Sequence, residues 1–309
     1  MRIVFFGTPD VAAQSLYALL ASSHEVVGVV TQPDRPRGRG RSVQPSPVKE
    51  LATQSGLPVL QPGRPAEPGF ADILAALAPD ALAVVAYGHI LPPGILRIAP
   101  AVNVHFSLLP HYRGAAPVQR ALMDGATETG VSVFLLEPTV DTGPVLLREE
   151  ISIEPEATAG DVLALLAPIG AALLVRALDA LESGTAAPVE QSDMQATPAR
   201  KISTKDAKIE WAASAEGIVN LVRGLNPRPG AFTTFRGRRL GIWRARACAT
   251  PIGLAAGVIA AGSDLIVGTG DAPITLLEVQ PEGKRTMSGV EFVRGYRPHE
   301  NELLGDGLA

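Results

Sequence analysis

The chain has 309 residues, 46% hydrophobic and 19% charged, with a formal net charge of −4. This length and apolar content exclude a disordered chain and favour about two domains with cores of their own. The charge excludes a polyanion binder over the whole surface, and the single cysteine, Cys248, excludes an intrachain disulfide and a cysteine-rich metal site.

Met1-Arg2 leads straight into Ile3-Val4-Phe5-Phe6, too short for a signal-peptide core, which predicts a strand at 3–6. Gly7-Thr8-Pro9-Asp10 then turns into an amphipathic helix reaching about residue 20. A strand at 26–31, a long loop, a helix at 46–54, a helix at 70–77 and a strand at 81–86 follow. Next come a strand at 102–105, a helix at 116–123, and strands at 131–136 and 145–153. Thr158 caps a long Ala/Leu-rich helix ending near Gly184. Near-continuous apolar strands separated by helices predict a Rossmann-like, doubly wound, mostly parallel α/β sheet, with ligands beyond the C-terminal strand ends. The polar, proline-bearing stretch 187–200 reads as the start of a linker. Beyond it, a helix at 213–223 and short runs at 231–235, 240–245, 257–261, 264–268 and 274–279 predict a small OB-like β-barrel. The expected division is therefore 1–186, a linker at 187–206, and 207–309. No run of about 18 apolar residues lacks charges or breakers, so no membrane span is expected. A cytoplasmic monomer is the expected state.

The Gly7 turn lacks the G-x-G-x-x-G spacing of a dinucleotide site, which disfavours a nicotinamide cofactor. The densest polar group is Asn103-Val104-His105-Phe106-Ser107-Leu108-Leu109-Pro110. On a strand, Asn103 and His105 point the same way, at the end where α/β sites are built. Downstream, Asp141-Thr142-Gly143 forms a turn, and a lone Asp there is usually a turn residue. Together, however, an amide, an imidazole and a carboxylate suit acyl transfer to an amine. That reaction needs a donor for an oxyanion and a group that moves a proton. No nucleophilic side chain is required, and no G-x-S-x-G elbow surrounds Ser107. A lone His105 would read as a core histidine bonded to backbone; Asn103 and the Ser-Leu-Leu-Pro loop argue otherwise. His24, His89, His111 and His299 show no metal-ligand spacing, no metal is expected, and His24 and His299 read as surface residues.

Charge is uneven. Residues 200–246 hold eleven Lys or Arg against three Asp or Glu. The loop 33–41 carries Arg35, Arg37, Arg39 and Arg41 among Gly and Pro, with Asp34 alone opposing them. Such loops are usually just solvated, but uncompensated arginines leave charge for phosphates. Arg236, Arg238, Arg239, Arg244 and Arg246 read either as outward residues of a half-exposed sheet or as a groove for nucleic acid.

The run from Asn103 to Pro117 with Gln119-Arg120 closely resembles the methionyl-tRNA formyltransferase family. So do Phe6-Gly7-Thr8-Pro9, the run Val30-Thr31-Gln32-Pro33-Asp34-Arg35-Pro36, the run Val84-Val85-Ala86-Tyr87-Gly88, residues 136–143 and residues 225–231. The resemblance implies formyl transfer from 10-formyltetrahydrofolate to the amino group of initiator methionyl-tRNA, for translation initiation. It implies Asn103, His105 and Asp141 as the catalytic trio, and Ser107, Leu108, Leu109 and Pro110 along the folate site. The loop Arg35, Arg37, Arg39, Arg41 would clamp the tRNA acceptor end, with Arg39 the expected essential contact. Lys201, Lys205, Lys208, Arg238 and Arg239 would continue the track. Phe106 departs from the small residue usual in the family. The rivals are a folate-dependent formyltransferase acting on a small amine, a hydrolase releasing formate, and a non-catalytic RNA-binding protein on an α/β scaffold.

Overall fold

The structure, a computed structural model, describes residues 1–37, 42–248, 253–260, 262–299 and 301–305. The chain divides into two compact units. One comprises Met1–Pro117, Glu128–Ile151 and Leu163–Arg200; the other comprises Val118–Thr127, Ser152–Val162 and the chain from Lys201 onward.

The elements up to residue 182 are β1 (Arg2–Gly7), α1 (Asp10–Leu20), β2 (Glu25–Val30), β3 (Arg35–Arg37), β4 (Ser42–Gln44), α2 (Pro47–Gln54) and β5 (Val59–Leu60). They continue with α3 (Phe70–Ala76), β6 (Ala81–Val85), α4 (Pro93–Leu96), β7 (Ala101–His105), α5 (Pro117–Met123), β8 (Glu128–Leu135), β9 (Val145–Ser152) and α6 (Ala159–Glu182). Seven strands form one sheet in the order β5-β2-β1-β6-β7-β8-β9. The pairings among β5, β2, β1, β6 and β7 are parallel. β8 instead runs antiparallel to β7, with Asn103 opposite Phe134 and His105 opposite Ser132. An apolar run tells burial, not direction, so the sequence could not distinguish these cases.

The predicted strands are real because their side chains have a core on both faces. Ile3, Val4, Phe5 and Phe6 are fully buried, as are Leu82 and Val85. Burying a phenylalanine stabilises by about 1.5–3 kcal/mol, so the β1 pair alone is a large fraction of typical net stability. α2 starts where expected: Ser46 accepts a 3.1 Å hydrogen bond from the Lys49 N–H, and Pro47 occupies the first turn. The expected long loop after β2 carries the β3–β4 hairpin, which pairs Arg35 with Gln44.

Helix α6 bears on two of the expectations, and one of them, for His24, needs correction. α6 is long and apolar enough to cross a membrane by length and composition alone, with half of its most apolar window buried inside the protein. Leu166, Leu173, Leu174 and Leu178 are buried, which is how a core helix also passes that test. His24 is not a surface residue. Its side chain is wholly buried, with Nε2 3.2 Å from Asp179 Oδ1 and Nδ1 3.7 Å from Glu182 Oε2. The partners come from α6, far along the chain, so the local polar turn gave no sign of that burial.

The second unit contains α7 (Ala215–Leu225), β10 (Ala231–Phe235), β11 (Arg238–Ala247), β12 (Ile266–Val267), β13 (Ile274–Pro281), β14 (Met287–Ser288) and α8 (Gly289–Tyr296). Its antiparallel sheet runs β10-β11-β13-β12, with β14 also on β13. The run expected at 257–261 is reduced to isolated bridges, Val258 to Leu303 and Ile259 to Val267. α7 is held by Ser214, whose hydroxyl accepts from the Gly217 N–H at 3.1 Å. α8, unanticipated from sequence, opens with a capping box between Ser288 and Glu291. Its Phe292 stacks on Tyr296 and packs edge-on to Phe235. Trp211, buried beside them in the same core, donates its Nε1–H to Thr233 Oγ1 at 3.0 Å.

Candidate active site

β7 sits between β6 and β8, with Asn103 paired to Val84 on one side and Phe134 on the other. Ladders on both sides fix where Asn103 points, and pairing with Ser132 of β8 fixes His105 at the strand end. Both line a cavity of about 540 Å³ at the C-terminal ends of β6 and β7. Its other walls include Ala86–Leu91, Leu96, Phe106, Gly114, and the segment from Leu136 that carries Asp141. This is the position a parallel α/β sheet offers a ligand. The volume falls within the ~300–1,000 Å³ of small-molecule sites.

His105 is held at both ring nitrogens. Nε2 lies 2.8 Å from the Tyr112 carbonyl oxygen. A carbonyl only accepts, so Nε2 carries a proton and donates it. Nδ1 faces Asp141 Oδ2 at 3.7 Å. The His105 ring is buried and packs edge-on to Phe134, with centroids 6.4 Å apart. The Asp141 carboxylate accepts from the Gly114 N–H at 2.8 Å. Asp141 itself adopts φ +54, the left-handed region disfavoured for a residue with a Cβ. Such a conformation costs on the order of 1–3 kcal/mol and persists only where the surroundings enforce it. Gly114 has φ +129, and a Cβ there would lie 2.5 Å from the Ala199 oxygen. A Cβ on Gly143 would collide with the Leu135 oxygen. Both glycines let the backbone close around the carboxylate. Among the described residues, the Asn103 side-chain amide has no hydrogen-bond partner, leaving its N–H available to a ligand.

Two further polar atoms at this cavity are buried and have no hydrogen-bond partner among the described residues: the Tyr87 hydroxyl and His89 Nε2. Their rings meet edge-on at 5.5 Å. Burial, aided by the nearby Glu67 charge, pushes the Tyr87 hydroxyl up to about 12, so it stays protonated and able to donate. Phe106, only 7% exposed, lies on the cavity wall.

Ser107, Leu108, Leu109 and Pro110, expected along the folate site, follow His105 and Phe106 at the edge of this cavity without lining it. Ser107 is fully buried and donates to the His111 carbonyl at 2.6 Å. The Ser132 hydroxyl donates to the Ser107 carbonyl at 2.7 Å and accepts from the Leu109 N–H at 3.0 Å. These bonds secure the end of β7 from behind; the sequence pattern marked the segment without telling bracing from contact.

The basic residues divide in the same way. Arg35 is exposed on β3, and Arg37 is in the same strand. Arg39 and Arg41 lie outside the described residues. Asp34 is engaged elsewhere: Lys49 donates to it at 2.6 Å and Gln61 at 2.8 Å, bonds that hold its carboxyl below the usual range. In the second unit Lys201, Lys205, Arg238 and Arg239 are exposed and Lys208 is half-buried. The Arg239 guanidinium lies 3.7 Å over the Phe232 ring. Arg236 is spoken for by Glu302, at 2.6 and 3.0 Å, and Arg244 faces Glu278 at 3.9 Å. Both are taken up by carboxylates of their own unit, Arg236 at the β10–β11 turn and Arg244 within the sheet.

The structure also gathers His24, Asp179 and Glu182, whose ligand-type atoms all lie within 4.8 Å of one another. No sequence spacing signalled this group. The Met1 ammonium sits on Glu182 at 2.7 Å and already supplies positive charge there.

Residues 1–178 match the Formyl transferase family, and residues 201–297 match the Formyl transferase, C-terminal domain family. A methionyl-tRNA formyltransferase from Frankia casuarinae is 48% identical, covering 99% of this chain and 96% of that protein. Among solved structures, an N-formyltransferase from Helicobacter canadensis in complex with folinic acid and dTDP-3-aminofucose matches with TM-score 0.68. It is 17% identical, over 90% of this chain and 98% of that one. HypX from Aquifex aeolicus in complex with tetrahydrofolic acid matches with TM-score 0.64 at 16% identity. That match covers 98% of this chain, which spans about half of HypX, 48% of its length. At such identities the two structures speak for the fold alone. Together with the two family matches, the near-full-length identity to the Frankia protein shows that this chain belongs to the methionyl-tRNA formyltransferase family.

Proposed function

We propose that the protein transfers the formyl group of 10-formyltetrahydrofolate to the free amino group of methionyl-initiator tRNA, in the cytoplasm. The observation that carries this reading is the 48% identity, over 99% of the chain, to an enzyme named for that reaction. The cavity is consistent with it. Apolar walls from Val84, Ile90, Leu91, Leu96 and Leu136 suit a flat ring system, and the partnerless Tyr87 hydroxyl and His89 Nε2 suit its polar edge. Solved neighbours of the same fold are folate complexes. The co-substrate supplies an activated formyl carbonyl; the rest is the work of the chain.

Asn103 donates its amide N–H to the negative charge that grows on the formyl oxygen as the amine attacks. His105 is fixed by Tyr112 and Asp141 so that its imidazole faces the reacting group. Asp141 orients that imidazole and balances positive charge on it; as the new bond from the amine nitrogen to the formyl carbon forms, the bond from that carbon to N10 breaks, and the proton lost by the amine leaves on N10 of the departing tetrahydrofolate. The buried surroundings strengthen both interactions relative to water. Ser107, Leu108, Leu109 and Pro110 are assigned to the folate site, in a segment that hydrogen bonds to Ser132 and His111 hold at the end of β7.

For the tRNA, the reading assigns Arg35, Arg37, Arg39 and Arg41 to the acceptor end, and Lys201, Lys205, Lys208, Arg238 and Arg239 to the acceptor arm. Support comes from exposed basic residues and from an Asp34 already paired with Lys49. The corresponding division is a catalytic domain at 1–186, a linker at 187–206 and a tRNA-binding domain at 207–309. Incubation with labelled 10-formyltetrahydrofolate and charged initiator tRNA tests the assignment. Label should appear on the methionyl ester. Label released as formate would instead mark a hydrolase, and label on a small amine alone would mark the small-substrate rival.

A further inference from the structure

The segment between α6 and residue 200 reads from sequence as a linker, yet it supplies the framework that holds the catalytic carboxylate. Gln191 Nε2 donates to two carbonyls of the Asp141 turn, that of Asp141 at 3.0 Å and that of Gly143 at 2.7 Å. Gln191 Oε1 accepts from Arg113 Nε–H at 3.0 Å. Carbonyls only accept and Arg113 only donates, so this amide has a single usable orientation.

Arg113 precedes Gly114, whose N–H holds the Asp141 carboxylate, and follows Tyr112, whose carbonyl holds His105. The same segment pins that loop from behind. The Arg113 N–H donates to the Thr197 carbonyl at 2.8 Å, the Ala199 N–H donates to the Arg113 carbonyl at 2.6 Å, and the Tyr112 N–H donates to Thr197 Oγ1 at 2.8 Å. Val189 exchanges two 2.8 Å backbone bonds with Val145, just past the turn. One amide side chain thus ties the two loops that grip the two ends of the His105–Asp141 pair.

We infer that Gln191 is a positioning residue for formyl transfer: its Nε2 donors hold the left-handed Asp141 turn at the distance from His105 that the reaction uses. The kinetic consequence rests on the functional reading above; the clamp itself does not.

Two substitutions separate the clamp from general stability. Gln191→Leu removes all three hydrogen bonds. Gln191→Glu keeps the acceptor for Arg113 and loses the donor toward the turn, with almost no change of shape, so it carries the test if the leucine variant melts early. Both should lower kcat by about 10- to 100-fold, the effect of a misplacement on the ångström scale. KM for donor and tRNA should stay within about threefold, because the clamp touches neither ligand. As pH falls, protonation gives the introduced carboxyl a donor again. The ratio of Gln191→Glu to wild-type kcat should therefore rise, while the Gln191→Leu ratio stays flat. A kcat within about twofold of wild type in both variants overturns the inference, and so does a flat ratio for Gln191→Glu. If the wild type transfers no formyl group, the functional reading fails and amide exchange decides the clamp. The Gly114 N–H should exchange faster in Gln191→Glu than in wild type; an unchanged rate rejects the clamp.

Discussion

The two ends of the His105–Asp141 pair are built in opposite ways. His105 stands on a strand paired on both sides, so its direction follows from the sheet and would survive most changes nearby. Asp141 stands in a left-handed turn, held by a glycine amide, by two glycines that admit close backbone contact, and by a side chain some fifty positions later. A strand position is enforced by many weak bonds shared along a ladder, whereas a strained turn depends on a few specific ones. The carboxylate end is therefore where the site should be easiest to loosen without unfolding the protein.

The sharpest break of this comparison comes from the strand end. Asn103→Ala should lower kcat by ~10²–10³, about 2.7–4 kcal/mol of lost oxyanion stabilisation, with an unchanged melting temperature. His105→Ala should match it, although loss of a buried ring also lowers stability. Next, Asp141→Asn keeps an acceptor for the Gly114 N–H but removes the charge. A loss of ~10² in kcat with unchanged Gly114 exchange would locate the effect in electrostatics rather than in the turn.

A smaller effect should follow from the basic surface. Arg238→Ala or Arg239→Ala should weaken tRNA binding similarly for all sequences and lower the salt slope by about one per phosphate contact. An unchanged slope would leave these arginines as sheet surface. The smallest effect concerns acid stability. Hydrogen bonds from Ser203, joined by the Arg120 guanidinium, hold the Asp206 carboxyl down at about 2. A depressed folded pKa stabilises above the unfolded value of about 3.9 and loses that contribution as pH falls toward 2. Wild type should therefore lose stability between about pH 4 and 2 more steeply than Asp206→Asn in denaturant titrations. Parallel curves would rule out this contribution.

What the sequence revealed divides along the same line. Asn103 and His105 were legible because strand period places them on one face at a strand end. Asp141 was less legible, since an Asp-x-Gly turn is common and nothing local points it at a histidine; only its chemistry beside an amide and an imidazole, and then the family resemblance, singled it out. Gln191 was illegible: it lies in a polar, proline-bearing stretch, and its importance depends on two loops brought near it by the fold. His24 was misread for a related reason, its burial being set by α6. α8 could have been found, because Ser288 and Glu291 stand at capping-box spacing. The antiparallel course of β8 could not, since pairing direction leaves no mark in an apolar run.

The central claim is that the Asn103 amide and the His105 imidazole act on one formyl group in one cavity. Single-turnover transfer from 10-formyltetrahydrofolate to methionyl-tRNA, in Asn103→Ala and His105→Ala under saturating ligands, measures this directly. The chemical step should slow by at least about 10² in each variant, with tRNA and folate still bound. Near-wild-type single-turnover rates in both variants would contradict it.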